Sequence, residues 1–185
     1  MKLRRVVGKV LLHLPATKAE LETLRTRQCG VGVPFVPELV GMGIQRLADA
    51  PLPPEVADKW VMAQIDVVNA FNTEDREAIL SQAKKKAPST EPWLAWSYDA
   101  ATPLICQGKV VTYSKTGVHL GDTMAPAAFS LGLDGALEAC SAEEAGLPWV
   151  SWYLDDGTIC GPSPSPVLLQ GGGARHTAPC PKRLP

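Results

Sequence analysis

Asp66 follows the apolar run Trp60–Ile65 (WVMAQI) and belongs to the segment IDVVNAFN, residues 65–72. Asp155 and Asp156 are adjacent in WYLDDGTICG, residues 152–161, between two further apolar runs. Singly, each acid reads as a turn or cap residue, because Asp favours such positions. Together they say more. Apolar strands would bring both acids to one edge of a sheet, where like charges a few ångströms apart repel strongly unless a cation separates them. Oxygen donors without Cys or His beside them suit Mg²⁺ or Mn²⁺. Such ions share their coordination with substrate phosphates, and a pair of them can activate an attacking hydroxyl and stabilise a leaving oxygen.

The surrounding pattern supplies elements to carry these acids. Trp60–Ile65 predicts a strand ending at Asp66. Trp149–Leu154 and Gly157–Cys160 predict two short strands joined at Asp155-Asp156. Residues 3–14 are basic and apolar and fit helix or strand. Glu20–Arg27 predicts a helix, QCGVGVP at 28–34 a glycine-punctuated loop, and Pro37–Ala48 a helix with Leu39, Val40, Ile44 and Leu47 at helical spacing. PLPP at 51–54 is a break. Thr73–Lys86 predicts a helix capped by Thr73 or Asn72, acidic in its first turns and closed by Lys84, Lys85 and Lys86. Glu91–Ala100 predicts a short helix. Leu104–Cys106 and Val110–Tyr113 flank Gln107-Gly108 as a hairpin, and Thr123–Cys140 is an apolar helix with Pro126 in its first turn. Helices and hairpins in this order, without a regular βαβ alternation, predict an α+β fold.

Composition bounds the function. The chain of 185 residues is 45% hydrophobic and carries 18 basic against 19 acidic residues, so no global charge advertises a polyanion partner. No run is long and apolar enough for a membrane span. Residues 161–185 hold six Pro and four Gly, with three basic residues and no acid, which leaves 15 basic against 19 acidic residues, net −4, in 1–160. That tail predicts disorder. Five dispersed cysteines without C-x-x-C spacing argue against a disulfide framework or zinc site and for a reducing compartment. Basic residues precede a short apolar run at the start, but Lys9 interrupts it and no cleavage site follows. A nuclear or cytoplasmic location is expected. A phosphatase strand end of the Asp-x-Asp-Gly-Thr type would need its nucleophile where Leu154 stands. Asp156-Gly157-Thr158 is the wrong order for an aspartic protease. GVGV at 30–33 lacks the Gly-Lys-Ser/Thr ending of a phosphate loop. His13, His119 and His176 have no metal-ligand spacing.

The motifs together resemble one family. Tyr153-Leu154-Asp155-Asp156 is similar to the Tyr-x-Asp-Asp signature of reverse transcriptases. Asp66-Val67-Val68-Asn69-Ala70-Phe71 resembles their first palm motif, an Asp followed five residues later by an aromatic. Gly117-Val118-His119-Leu120-Gly121-Asp122-Thr123-Met124-Ala125-Pro126 resembles the family's Gly-Val-x-Gln-Gly-Asp-Pro-Leu-x-Pro loop, with Phe129 at the matching aromatic position. The three stand in the family's order. LRRVVGK (Leu3–Lys9) and QCGVGVP (28–34) also look like the finger region of enzymes from non-long-terminal-repeat retroelements.

This resemblance, over about residues 3–161, implies a palm-like antiparallel sheet backed by helices, with partial fingers over 1–59, a palm-like segment over 60–161 and the tail over 162–185. It implies template-directed addition of deoxynucleotides to a primer 3′-hydroxyl, with an RNA template, a DNA primer, deoxynucleoside triphosphates and Mg²⁺ or Mn²⁺ as partners. Asp66 and Asp155 would be metal ligands and Asp156 a supporting carboxylate. Phe71 would lie under the sugar of the incoming nucleotide and exclude a 2′-hydroxyl. Gly121 would let the backbone approach the template pair. Tyr153, Arg4 and Arg5, with Lys9, would contact substrate. Leu120 departs from the family's Gln, and Thr123 from its Pro. The chain begins inside the fingers and ends after the Asp-Asp hairpin, so no thumb is expected. A domain of this kind without catalysis, binding nucleic acid weakly or not at all, is the alternative.

Overall fold

The computed structural model describes residues 2–26, 28–32, 36–49, 60–139 and 149–162. The PLPP break and the Pro/Gly-rich tail beyond residue 162 lie outside them. The fold is α+β, with helices and two small antiparallel sheets. The chain forms two compact units, each from two stretches: residues 1–24 with 68–136, and residues 25–67 with 137–185. Among the described residues no helix is long and apolar enough to cross a membrane.

The first unit is mainly helical. Residues 3–14, ambiguous by pattern, lie in helix α1 (Lys2–His13) and the start of the next segment, and α2 (Pro15–Glu22) follows with Pro at its first turn, where no amide partner is lost. After Val68 comes the single turn α4 (Ala70–Thr73), then α5 (Arg76–Lys86) and α6 (Glu91–Tyr98). The sequence pattern merges α4 and α5 into one helix capped at Thr73 or Asn72. The structure instead starts α5 at Arg76, where the Asp75 carboxylate accepts the Glu77 amide at 3.0 Å and caps the helix. An anionic side chain suits the positive end of the peptide dipoles, and Lys84–Lys86 suit the other end. The hairpin β2 (Thr102–Cys106) and β3 (Lys109–Ser114) turns at Gln107 and Gly108, both with positive φ, as a tight two-residue hairpin requires. Helix α7 (Ala125–Ala139) buries Ala127, Ala128, Phe129 and Leu131 with Ile79, Leu94 and Met124.

The second unit holds α3 (Val36–Asp49) and one three-stranded sheet of β1 (Trp60–Asp66), β4 (Trp149–Tyr153) and β5 (Asp156–Pro162), in the order β1-β5-β4. Both pairings are antiparallel. The central strand β5 buries Thr158, Ile159 and Cys160, and its neighbour β4 buries Val150, Ser151 and Trp152. β1 is an edge strand with Val61, Met62 and Gln64 exposed. Gly157 faces Trp152 across the β4–β5 pair, and a Cβ at 157 would stand 2.8 Å from the indole. Glycine there lets the ring lie on the backbone. Cys29 is disulfide-bonded, a pairing that the spacing does not suggest, whereas Cys106 and Cys160 are free thiols. Linear spacing carries no record of which thiols a fold brings together.

Glu74, between α4 and α5, is half-buried and packs over Gly132 of α7. Burial, reinforced by the neighbouring Asp75 charge, pushes its carboxyl up to about 7. The folded state therefore holds a proton that the unfolded chain releases at ordinary carboxylate pH, so stability falls as pH rises from about 4.5 to about 7. Glu74→Gln is expected to flatten that slope and to be more stable than the parent at pH 8. Urea denaturation midpoints at pH 5 and pH 8 measure it, and an equal slope in both proteins would show that Glu74 titrates normally.

Candidate active site

The register of the sheet assembles the acidic site. Asp66, the last residue of β1, pairs directly with Asp156, the first of β5, and Asp156 pairs on its other side with Tyr153 of β4. Directly opposed residues share a face, so Asp66, Asp156 and Tyr153 form one row across the sheet. Gln64 and Thr158, two positions further in, share that face. These residues line a cleft of about 400 Å³ whose other wall is Val40, Gly41 and Ile44 of α3.

Asp155 is placed differently from expectation. The two-residue turn between β4 and β5 is Leu154-Asp155, not Asp155-Asp156, so Asp155 lies in the turn and Asp156 on the strand. Leu154 carries a φ of 53°. Pattern reading centres a turn on its polar residues, and an apolar residue with positive φ gives no such signal.

Asp156 senses the other two acids. Asp156 is held above the ordinary carboxylate range by burial, then by the charges of Asp155 and Asp66. Among the described residues no group of three or more His, Cys, Asp or Glu side chains stands arranged to hold a metal ion. The acids offer oxygen donors alone, the type that a hard divalent cation takes. Mg²⁺ characteristically takes one or two carboxylates and leaves its other positions to water and substrate phosphates.

The other motif residues belong to the helical unit. Phe71 is half-buried and stacks on Phe129, with ring centroids 4.6 Å apart and an interplanar angle of 14°. Its carbonyl accepts the Val118 amide at 2.7 Å, and the Glu74 carbonyl accepts the Gly117 amide at 2.8 Å. Gly117, at φ 65°, leaves no room for a Cβ against the backbone of Phe71 and Asn72. The fold thus joins the 66–71 segment's aromatic to the start of the 117–126 loop. Buried Arg76 braces the same place, donating to the carbonyls of Gly117 at 2.8 Å and Ser114 at 3.0 Å.

Asp122 organises the rest of that loop. One carboxylate oxygen accepts the Met124 amide at 3.1 Å, and the other accepts the Tyr98 hydroxyl at 2.9 Å and the Arg4 Nε at 3.1 Å. The Arg4 guanidinium also lies 5.3 Å from the Tyr98 ring centroid. Arg5 donates to the Gly121 carbonyl at 3.0 Å, and Gly121 has a φ of 82°. Arg4 and Arg5 therefore hold this loop, and Leu120 stands 69% exposed beside Gly121.

Reading the sequence missed Gln28, a fully buried amide whose side chain bonds the backbone of Leu154. A polar residue next to Cys-Gly in a loop signals nothing about a partner more than a hundred positions away. Compared with protein-family models and with curated proteins, the chain matches none.

Two measurements check this geometry. Asp66→Asn is expected to lower the Asp156 carboxyl pKa, because it removes one of the charges that raises it. Side-chain carboxyl NMR titration reads this directly, and an unmoved Asp156 would separate the two acids. Phe71→Ala is expected to cost about 3 kcal/mol of stability, the lower end for Phe→Ala in a core because the ring is half-buried. A loss below about 1 kcal/mol in chemical denaturation would mean that the stack on Phe129 contributes little.

Proposed function

We propose that the chain carries the catalytic centre of a reverse-transcriptase-like nucleotidyltransferase, of the non-long-terminal-repeat retroelement type, with Asp66, Asp155 and Asp156 as its acidic residues. The observation that carries this reading is the Asp66–Asp156 pairing across β1 and β5, with Asp155 in the adjoining turn, at the mouth of a cleft. The sheet would serve as the palm, and the segments before β1 as part of the fingers.

In this reading Asp66 and Asp155, supported by Asp156, would hold Mg²⁺ or Mn²⁺. When bound, such ions supply charge neutralisation and polarisation of phosphoryl oxygens. The chain's own contribution is placement. An antiparallel register fixes two of the carboxylates relative to one another before any substrate arrives, and preorganised charge avoids reorganisation during reaction. Phe71 would act as the sugar-selecting aromatic through its stack on Phe129, and Tyr153, in the row with Asp66 and Asp156, would line the approach of primer, RNA template and deoxynucleoside triphosphate.

A second reading, a catalytically inactive retroelement remnant, is favoured by one feature. Leu120 is an exposed apolar residue where the family carries a Gln that meets the nucleotide. An apolar side chain leaves that polar contact unmade.

Primer extension on an RNA template with Mg²⁺ or Mn²⁺ separates the two. The parent chain is expected to extend poorly, Leu120→Gln to extend at least tenfold better, and Asp155→Asn not at all. A parent and a Leu120→Gln variant that are both inactive, at levels equal to Asp155→Asn, would favour the inactive domain.

A further inference from the structure

Two sheet carboxylates are fixed by strand register, but Asp155 lies in a turn and needs another device. The segment 28–30 supplies one. Gln28 bridges to Trp152 in parallel fashion, and the Cys29 amide donates to the Trp152 carbonyl at 2.7 Å. This docking aims the Gln28 side chain at Leu154. Its Nε2 donates to the Leu154 carbonyl at 2.9 Å, and its Oε1 accepts the Leu154 amide at 2.7 Å and the Gly30 amide at 2.9 Å. Gly30 comes so close that a Cβ there would stand 2.6 Å from the Leu154 side chain and 2.9 Å from its nitrogen.

The geometry has a specific consequence. The Leu154 amide belongs to the Tyr153–Leu154 peptide plane, and the Leu154 carbonyl to the Leu154–Asp155 plane. One side-chain amide holds both planes, so it fixes φ and ψ of Leu154 together. A leucine at φ 53° is in a conformation that L side chains other than Asn and Asp seldom adopt. Such a conformation persists only where the surroundings over-determine it. Gln28 is fully buried, so its amide gains full strength from a water-poor site.

We propose that Gln28 is a positioning residue for Asp155: its amide locks the strained Leu154 peptide pair and so sets where the Asp155 carboxylate stands relative to Asp66. The link to metal binding rests on the functional reading above, whereas the lock itself does not.

The experiment follows Mn²⁺ binding to the full chain by paramagnetic broadening, together with amide hydrogen exchange. Gln28→Ala is expected to weaken Mn²⁺ at least tenfold and to speed exchange of the Asp155 amide at least tenfold, while Val150 and Ile159 in the sheet stay protected. Gln28→Glu, which keeps the acceptor and loses the donor, should fall between the two and serves if the alanine variant does not fold. Adding Leu154→Asn, a residue that tolerates positive φ, should restore Mn²⁺ binding to Gln28→Ala. Unchanged Mn²⁺ affinity and Asp155 exchange in Gln28→Ala would overturn the proposal. So would a loss of binding accompanied by lost protection at Val150 and Ile159, which would reduce Gln28 to a support of the whole sheet. If the parent chain binds no Mn²⁺, the metal reading fails, and Asp155 exchange alone upholds or overturns the lock.

Discussion

β5 is hydrogen-bonded along both edges, and the acidic site exists because of that double pairing. A strand with one partner could slide by two residues and keep its buried face. A strand fixed on each side has its register set twice, by β1 through seven paired positions and by β4 through five. Asp156 is the residue at which both ladders end. Its neighbour on one side is Asp66 and on the other Tyr153. Shifting either ladder by one residue would send a carboxylate to the opposite face. Buried Ile159 and Val150 oppose that shift, because it would expose the apolar side chains that the sheet buries. The indole of Trp152 over Gly157 adds a steric constraint one step from the acids. Apolar packing thus enforces an arrangement of like charges that electrostatics alone would disperse.

The helical unit uses polar groups in the same organising way. Asp122 receives a backbone amide, a phenol and a guanidinium, and Arg76 donates to two loop carbonyls and lies 5.5 Å from the Tyr98 ring centroid. A buried carboxylate and guanidinium are tolerated because nearly every polar valence has a partner. The segment 114–124 has few apolar side chains to pin it. It is shaped instead by hydrogen bonds to its backbone, with glycines at 117 and 121 accepting the positive φ that the path requires.

Much of this could be read in advance. The helical period of Leu39, Val40 and Ile44, the lysine-terminated α5, the Gln107-Gly108 hairpin and the apolar strands on either side of the acids all carry local physical signals, and the elements stand within a few residues of where those signals put them. The α+β class follows from their order. The details that escaped are non-local. Asp75 rather than Thr73 caps α5 because a separate turn, α4, is held by the 116–118 loop. The β4–β5 turn falls on Leu154-Asp155 because Gln28 stabilises a conformation that leucine would not choose. Local propensity speaks for Asp-Asp at the tip, and a tertiary contact overrides it.

The same accounting of partners bears on how this chain would meet a polyanion. Nucleic-acid affinity rests largely on cations free to neutralise phosphates. Arg4 is committed to Asp122 and half-buried, Arg76 is buried among carbonyls, and Arg5 is bonded to Gly121. Recruiting Arg4 to a phosphate would strip Asp122 of a charged partner in a buried position, a cost of several kcal/mol by the usual penalty for breaking such a pair, about 3–5 kcal/mol. These cations therefore act as structural ties, and the net charge of −4 over residues 1–160 gives no long-range steering in their place. In the proposed reading the attraction for a phosphate would be local: a divalent ion held by Asp66, Asp155 and Asp156 at the end of the β1-β5-β4 sheet would relieve the repulsion between these carboxylates and carry positive charge to the cleft. Metal and phosphate would then bind together or weakly, and an acidic site that repels a bare polyanion would become the point that draws a metal-bound one.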